Sequence, residues 1–576
     1  MKQAVRAQSK ANNIILVIYG VLFILCAILV LWKCRYGFAN IDESFFLTVP
    51  YRLVQGDAMF AEEWHLSQMS GLLLYPFVAL YLRIVGNTDG IVLVFRYLFT
   101  FCNIVASSFI FYRLKRYHFL GAAAASLCLL LFAPYGIMAL SYNSMGILCM
   151  ILTCTLLLTG KGKLAPAIAG VLFAFAVLCN PYLAVLYLLA LFLHIVLFIS
   201  NRTCRAETSR MTHNCFGKQL LFFTLGAAVV AVIFLVFVFS RASLSEIVQA
   251  LPFILDDPEH PSISLIDKGI SYLYHIVVVN RYTKYGYLGL GLLAAMCMID
   301  KKRMQHKFFY YVSVSTCVSF LLFVIYFRNH TLNYLMWPLN CFAPFILLLS
   351  EREENRRIFS FLWVPGILYS FCMHLSSNQK FYAISSASIV ALTGCLVMIA
   401  IFSREILTTH SSRLHKIGVY VMTFLMLFGL LGTEAHERYV NIFWDTSIET
   451  QTCLVEDGTN KGIYMSEGMH QEYYQDLAIV HSIKKAVPDT KRVLFFAYKP
   501  QYYLMTDFAA GCYSAWLSTI SGSTVKRLTA FYEMQPELLP DAIYVDPQYS
   551  DYAQLLSEAI ECSELPFDGG VLLVRE

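Results

Sequence analysis

Apolar residues fall in long blocks along most of this chain, separated by short polar stretches. A block of about 18 or more apolar residues is long enough to cross a bilayer as a helix. Thirteen such spans are predicted, at 14–32, 90–112, 119–138, 143–160, 164–180, 182–199, 219–240, 285–300, 308–327, 331–350, 358–375, 381–403 and 417–433. Lys2, Arg6 and Lys10 precede the first span, and no small-residue cleavage site follows its 19 apolar positions, so it reads as an uncleaved anchor. The segment 71–85, GLLLYPFVALYLRIV, is also apolar, but its charge-free run before Arg83 is 12 residues long and contains Pro76. It is predicted to lie at the membrane surface.

Between the spans, two polar connections stand out, 33–89 and 241–284. The first holds two predicted interfacial helices. One, at 43–54, puts Phe45, Phe46, Val49 and Leu53 on one face and ends near Gly56; the other starts near Ser67 and ends at Gly86. In the second connection Pro252, Pro258 and Pro261 interrupt any long helix. From 434 onward the pattern changes to mixed polar sequence with strand-like runs RVLFFAY, DAIYVD and GGVLLV. The expected architecture is therefore an all-α polytopic membrane module, 1–433, followed by a small α/β domain, 434–576.

Composition agrees with this pattern. Of the 576 residues, 58% are hydrophobic and 14% charged, and the mean hydropathy is +0.60. Soluble domains average about 45–50% apolar and about 25% charged, so soluble enzymes and disordered scaffolds are excluded. A net charge of +5 gives no ground for nucleic-acid binding. The 17 Cys include no CxxC pair and no zinc-type spacing. Lys and Arg set the orientation: 22 fall in the N-terminus and the loops on its side, against 10 in the opposite loops. The N-terminus is thus expected in the cytoplasm, and the odd span number places the C-terminal domain outside.

Candidate chemistry concentrates in 40–86. Asp42 and Glu43 follow the first span at the outer boundary, and Glu62, Glu63, Trp64 and His65 lie between the two interfacial helices. Acidic residues at a helix start also simply complement the positive end of the helix dipole. The order of the whole loop resembles the GT-C glycosyltransferases, in particular the bacterial protein O-mannosyltransferase and aminoarabinose-transferase group: a span, Asp-Glu, an amphipathic helix ending in Gly, a short acidic stretch, His, then a second apolar helix. That family often carries Pro-Pro after its His or Lys, where this chain reads His65-Leu66-Ser67-Gln68. The resemblance implies an enzyme of the cell membrane that moves a sugar, with inversion, from a polyprenyl-phosphate donor to an acceptor on the outer face. It implies Asp42 as general base toward the acceptor hydroxyl, with Glu43 orienting Asp42 or the acceptor. Glu62, Glu63 and His65 are then candidates for sugar or acceptor contacts. The acceptor, whether protein, lipid or polysaccharide, stays open.

A phosphate leaving group calls for cations. Arg96, Arg281, Lys284, Arg328 and His330 all lie at outer span ends, the same side as Asp42, although such residues also snorkel to headgroups. Arg328, in the short loop FRNHTLNY, is the preferred candidate. Asp256, Asp257, Glu259 and His260 offer ligand types suited to a divalent cation; the same run, with Pro258 inside it, reads equally as a solvated turn. Asn143 suits either a sugar contact or a helix cap, and Tyr473, Tyr474, Tyr502, Tyr503 and Tyr513 suit either carbohydrate stacking or packing. The runner-up class is a transporter or flippase of envelope precursors. The absence of mid-span Asp and Glu, and of paired broken helices in two matching halves, counts against it.

Overall fold

The computed structural model describes residues 2–203, 207–256, 263–329, 332–409, 412–442 and 445–575. Asp257, Glu259, His260 and His330 therefore lie outside the described residues. The chain is mostly helical, with a small sheet near its C-terminus. Among the described residues nine helices are long and apolar enough to cross a membrane. Eight coincide with predicted spans: Ile14–Lys33, Ile91–Leu114, Tyr142–Thr159, Gly217–Phe239, Lys307–Arg328, Glu353–Leu375, Ile389–Thr409 and Arg413–Val440. The other five predicted spans fall on shorter apolar helices, Phe119–Leu131, Leu164–Cys179, Pro181–Leu193, Thr283–Ile299 and Asn333–Leu349.

Ile389–Thr409 is the hub, with 94% of its apolar window buried. Helices Leu164–Cys179 and Gly217–Phe239 cross closely because both contribute glycine. A Cβ at Gly170 would collide with the Phe223 carbonyl oxygen, and one at Gly226 with that of Ala167. Small residues that let backbones meet are the usual means of helix association in lipid.

The ninth apolar helix is Gln68–Val85, the segment predicted to lie flat. Both of its ends touch the C-terminal domain. Just before it, Trp64 N–H donates to the Tyr513 carbonyl at 2.7 Å; just after it, Thr88 Oγ1 donates to Leu504 O at 2.6 Å and Gly90 N–H to Gly458 O at 2.9 Å. A helix whose two ends meet the same domain runs along that side of the bundle. Its outer face, with Phe77, Leu80 and Ile84, is exposed.

Helix Asn40–Gln55 corrects the expectation of a surface helix. Gly56 does close it, in the left-handed conformation. Yet residues 43–53 are buried on every side. Its apolar face (Phe45, Phe46, Val49, Leu53) packs inward, and its polar face meets the C-terminal domain. Thr48 Oγ1 donates to Pro500 O at 3.1 Å, Tyr51 Oη to Thr506 O at 3.0 Å, Arg52 Nη2 to Cys512 O at 2.9 Å and Gln55 Nε2 to Phe508 O at 3.2 Å. The helix is thus a layer between bundle and domain.

That domain carries a five-stranded sheet. Arg492–Phe496 pairs in parallel with Ala509–Ala510 and with Ala542–Val545; Val571–Arg575 pairs antiparallel with Ala542–Val545 and with Cys562–Leu565. The three runs read as strands from sequence supply Arg492–Phe496, Ala542–Val545 and Val571–Arg575. Ala542–Val545 is buried at every position, as a central strand flanked on both sides should be.

Candidate active site

The first turn of Asn40–Gln55 has no side-chain cap at Ala39. Glu43 takes that role by reaching back, its Oε2 accepting the Ala39 N–H at 2.9 Å. The same carboxylate accepts from Arg96 Nε at 2.7 Å and Nη2 at 2.5 Å, while the guanidinium also donates to Cys34 O and Gly37 O, each at 2.8 Å. Both side chains are buried. Arg96 is therefore spent on a structural fork that ties the end of the first helix, the start of the second and helix Ile91–Leu114 together, which corrects its assignment to a phosphate. Glu43 anchors the first turn of the helix, and neighbouring Asp42 lines a cavity.

The cavity, about 1150 Å³, lies where the bundle meets the C-terminal domain. Part of its wall comes from a predicted span that unwinds. The span expected at 119–138 is helical only over Phe119–Leu131; the chain then turns at Pro134–Gly136, where Tyr135 (φ 56°) and Gly136 (φ 80°) are both left-handed. Asn180, at the end of the predicted span 164–180, and the connection 376–379 also line it. Irregular backbone at this depth belongs where it lines a cavity. Arg438, at the end of helix Arg413–Val440, satisfies the freed carbonyls, donating to Leu131 O at 3.0 Å and Gly136 O at 3.3 Å. Asp42 and Tyr135 lie close together on this wall.

The cations on this wall are Lys268 and Arg438. Lys268 also donates to the Leu375 carbonyl, and burial lowers its pKa. Neither was singled out from sequence. Arg281 and Lys284 are exposed, each lying over the adjacent ring of Tyr282 or Tyr285, and Arg328 is exposed at the end of its helix. None of the three lines the cavity.

His65 does line it. Ser67 N–H donates to its Nδ1 at 3.1 Å, so the neutral ring carries its proton on Nε2. Buried Glu63 and half-buried Glu62 are set apart in a second cluster. Arg52 donates from Nε to Asp57 Oδ2 and from Nη1 to Glu63 Oε2, both at 2.6 Å. Burial opposes the charge on Arg52, but Glu63 and Asp57 outweigh it and hold the guanidinium well above its usual pKa. Burial, reinforced by Asp57, pushes Glu62 up to about 7.

Among the described residues no group of three or more His, Cys, Asp or Glu is placed to hold a metal ion, and of the expected cation cluster only Asp256 is described. Asp256 lines no part of the cavity. Tyr473, Tyr502, Tyr503 and Tyr513 are core residues of the C-terminal domain and its junctions. Asn143 is not a cap: Ser141 caps Tyr142–Thr159, paired with Ser144 in a reciprocal box.

No family model matches this chain, and no curated protein matches it. Three solved structures of an oligosaccharyltransferase from Archaeoglobus fulgidus are similar to it at 9% identity. One is tethered to an acceptor peptide containing the NVT sequon, with a TM-score of 0.47 over 97% of this chain and 74% of that one. Another, in complex with an inhibitory peptide and a dolichol-phosphate, gives 0.43 over the same shares, and the third, with Zn and sulfate, 0.43 over 96% and 73%.

Proposed function

We propose that the chain is a GT-C-type glycosyltransferase that moves a sugar from a polyprenyl-phosphate donor to an acceptor on the outer face of a cell membrane. One observation carries this reading: Asp42, Lys268 and Arg438 line the same large cavity, at the edge of the membrane module. The flanking helix Leu244–Leu255 and the start of Leu265–Val277 add Leu251, Leu255 and Leu265 to the wall, and all three are also exposed. A prenyl chain confined to the outer leaflet meets an apolar side entrance there, with its phosphate at headgroup depth.

In this mechanism Asp42 accepts the proton of the acceptor hydroxyl as that oxygen bonds to the anomeric carbon. The bond from that carbon to the phosphate oxygen breaks on the opposite face, so the configuration inverts and polyprenyl phosphate leaves. A positioned base contributes roughly 10²–10⁴-fold. Lys268 and Arg438 stabilise the charge that grows on the departing phosphate. A phosphate leaves without a proton donor, so the second acid, Glu43, is free to serve as the pin of the first turn. No step is routed through a metal.

Native mass spectrometry of the purified chain tests the reading. A co-purifying prenyl-phosphate sugar, displaced by added polyprenyl phosphate, is the expected result. Failure to bind polyprenyl phosphate at all refutes it.

A further inference from the structure

The cavity has an aromatic end. Phe45 stands one turn after Asp42 on the same helix, so the two side chains share a face. The Trp516 ring meets Phe45 edge-on at 4.9 Å, His65 at 6.1 Å and Tyr498 at 5.3 Å. Phe45, His65, Tyr498 and Trp516 all line the cavity. Across from them, Tyr142 meets Phe46 edge-on at 5.7 Å, which brings the start of helix Tyr142–Thr159 against the same face. Because Ser141 and Ser144 do the capping there, the Asn143 side-chain amide is on the cavity wall with no hydrogen bond to any described residue.

Resting on the reading above, we infer that the acceptor is a carbohydrate, whose ring lies against Trp516 and bonds to the Asn143 amide while one hydroxyl meets Asp42. The base touches the acceptor and not the departing lipid, so the surface one turn along its helix is acceptor surface. Aromatic planes suit the apolar faces of sugar rings, and neutral amides suit their hydroxyls, which need donors and acceptors without charge. A peptide acceptor bound as an added strand would need an open strand edge at the cavity. Of the described residues 445–575, Tyr498 and Trp516 line the cavity, and neither lies in a strand.

The test uses the full chain in detergent, labelled with 5-fluorotryptophan, with the Trp516 signal identified by its loss in Trp516→Phe. The probes are methyl glycosides of the common hexoses and, separately, short Ser/Thr peptides. A glycoside is expected to move the Trp516 resonance, and Trp516→Ala or Asn143→Ala to weaken its binding about tenfold or more. Polyprenyl-phosphate binding, measured on the same variants, is expected to stay unchanged, which shows that the fold and donor site are intact. If polyprenyl phosphate binds but no glycoside does, or if the peptides move Trp516 and the glycosides do not, the carbohydrate assignment is overturned while the donor reading stands. Loss of polyprenyl-phosphate binding by the unaltered chain overturns both.

Discussion

Replacing Glu43 with Ala removes one partner from a buried ion pair and leaves the other uncompensated. Arg96 loses two charge-assisted bonds, at 2.7 and 2.5 Å, and keeps only the carbonyls of Cys34 and Gly37. The Ala39 N–H loses its acceptor as well. Breaking a buried pair in this way costs about 3–5 kcal/mol, much of it the desolvation of a guanidinium with nothing opposite it. Removing both charges, as Glu43→Leu with Arg96→Met, relieves that penalty, so the double variant should be more stable than either single one. Denaturant unfolding in detergent, followed by tryptophan fluorescence across the four proteins of the cycle, reads the coupling directly. Sugar transfer should fall in Glu43→Ala because Asp42 is no longer held at the cavity wall. Additive effects in the cycle, or a Glu43→Ala protein as stable as the parent, would show that the fork is not what fixes this turn.

Other consequences follow from the same contacts. Glu62 has its carboxyl pKa raised from 4.5 to about 7, so between those values the folded chain holds more protons than the unfolded one. Stability should therefore fall as pH rises through that window, by up to about 3 kcal/mol, and Glu62→Gln should flatten the dependence; an unchanged pH profile in that variant refutes the assignment. Lys268→Ala should weaken polyprenyl-phosphate binding about tenfold, the loss of one hydrogen bond to a charged group, whereas Arg328→Ala should leave it unaltered; equilibrium binding of a labelled lipid phosphate distinguishes them. Gly170→Ala should destabilise the bundle by about 1–3 kcal/mol through overpacking, because its new methyl group meets backbone at Phe223. A thermal midpoint equal to the parent's would show that these helices separate easily.

The hydrophobic blocks were legible because hydropathy depends on local sequence alone, and the coarse class of helical membrane module with a C-terminal sheet follows from them. What hydropathy does not register is a break inside an apolar run. Residues 119–138 are apolar throughout, yet the helix ends at Leu131, and only Pro134 and Gly136 hint at the turn that forms a cavity wall. The helix around Phe45 was visible as amphipathic, but a polar face reads the same whether it meets water or carbonyls of another domain. Its partners lie some 450 positions along the chain, from Thr48 to Pro500 and Tyr51 to Thr506. Asp42 and Glu43 look equivalent in sequence and differ only because Arg96, 53 residues away, claims one of them. Arg438 resembled the flank of the last span, and Lys268 one charge of a polar loop; their shared cavity exists only in three dimensions.

Sugar transfer by Asp42→Asn, measured beside the parent protein with a polyprenyl-phosphate-linked sugar, shows whether Asp42 is the base. Asparagine keeps the size and hydrogen-bonding capacity of the side chain but accepts no proton. The correctly inserted variant should still bind the lipid phosphate and transfer roughly 10²–10⁴-fold more slowly. Transfer at the parental rate would remove Asp42 from the mechanism.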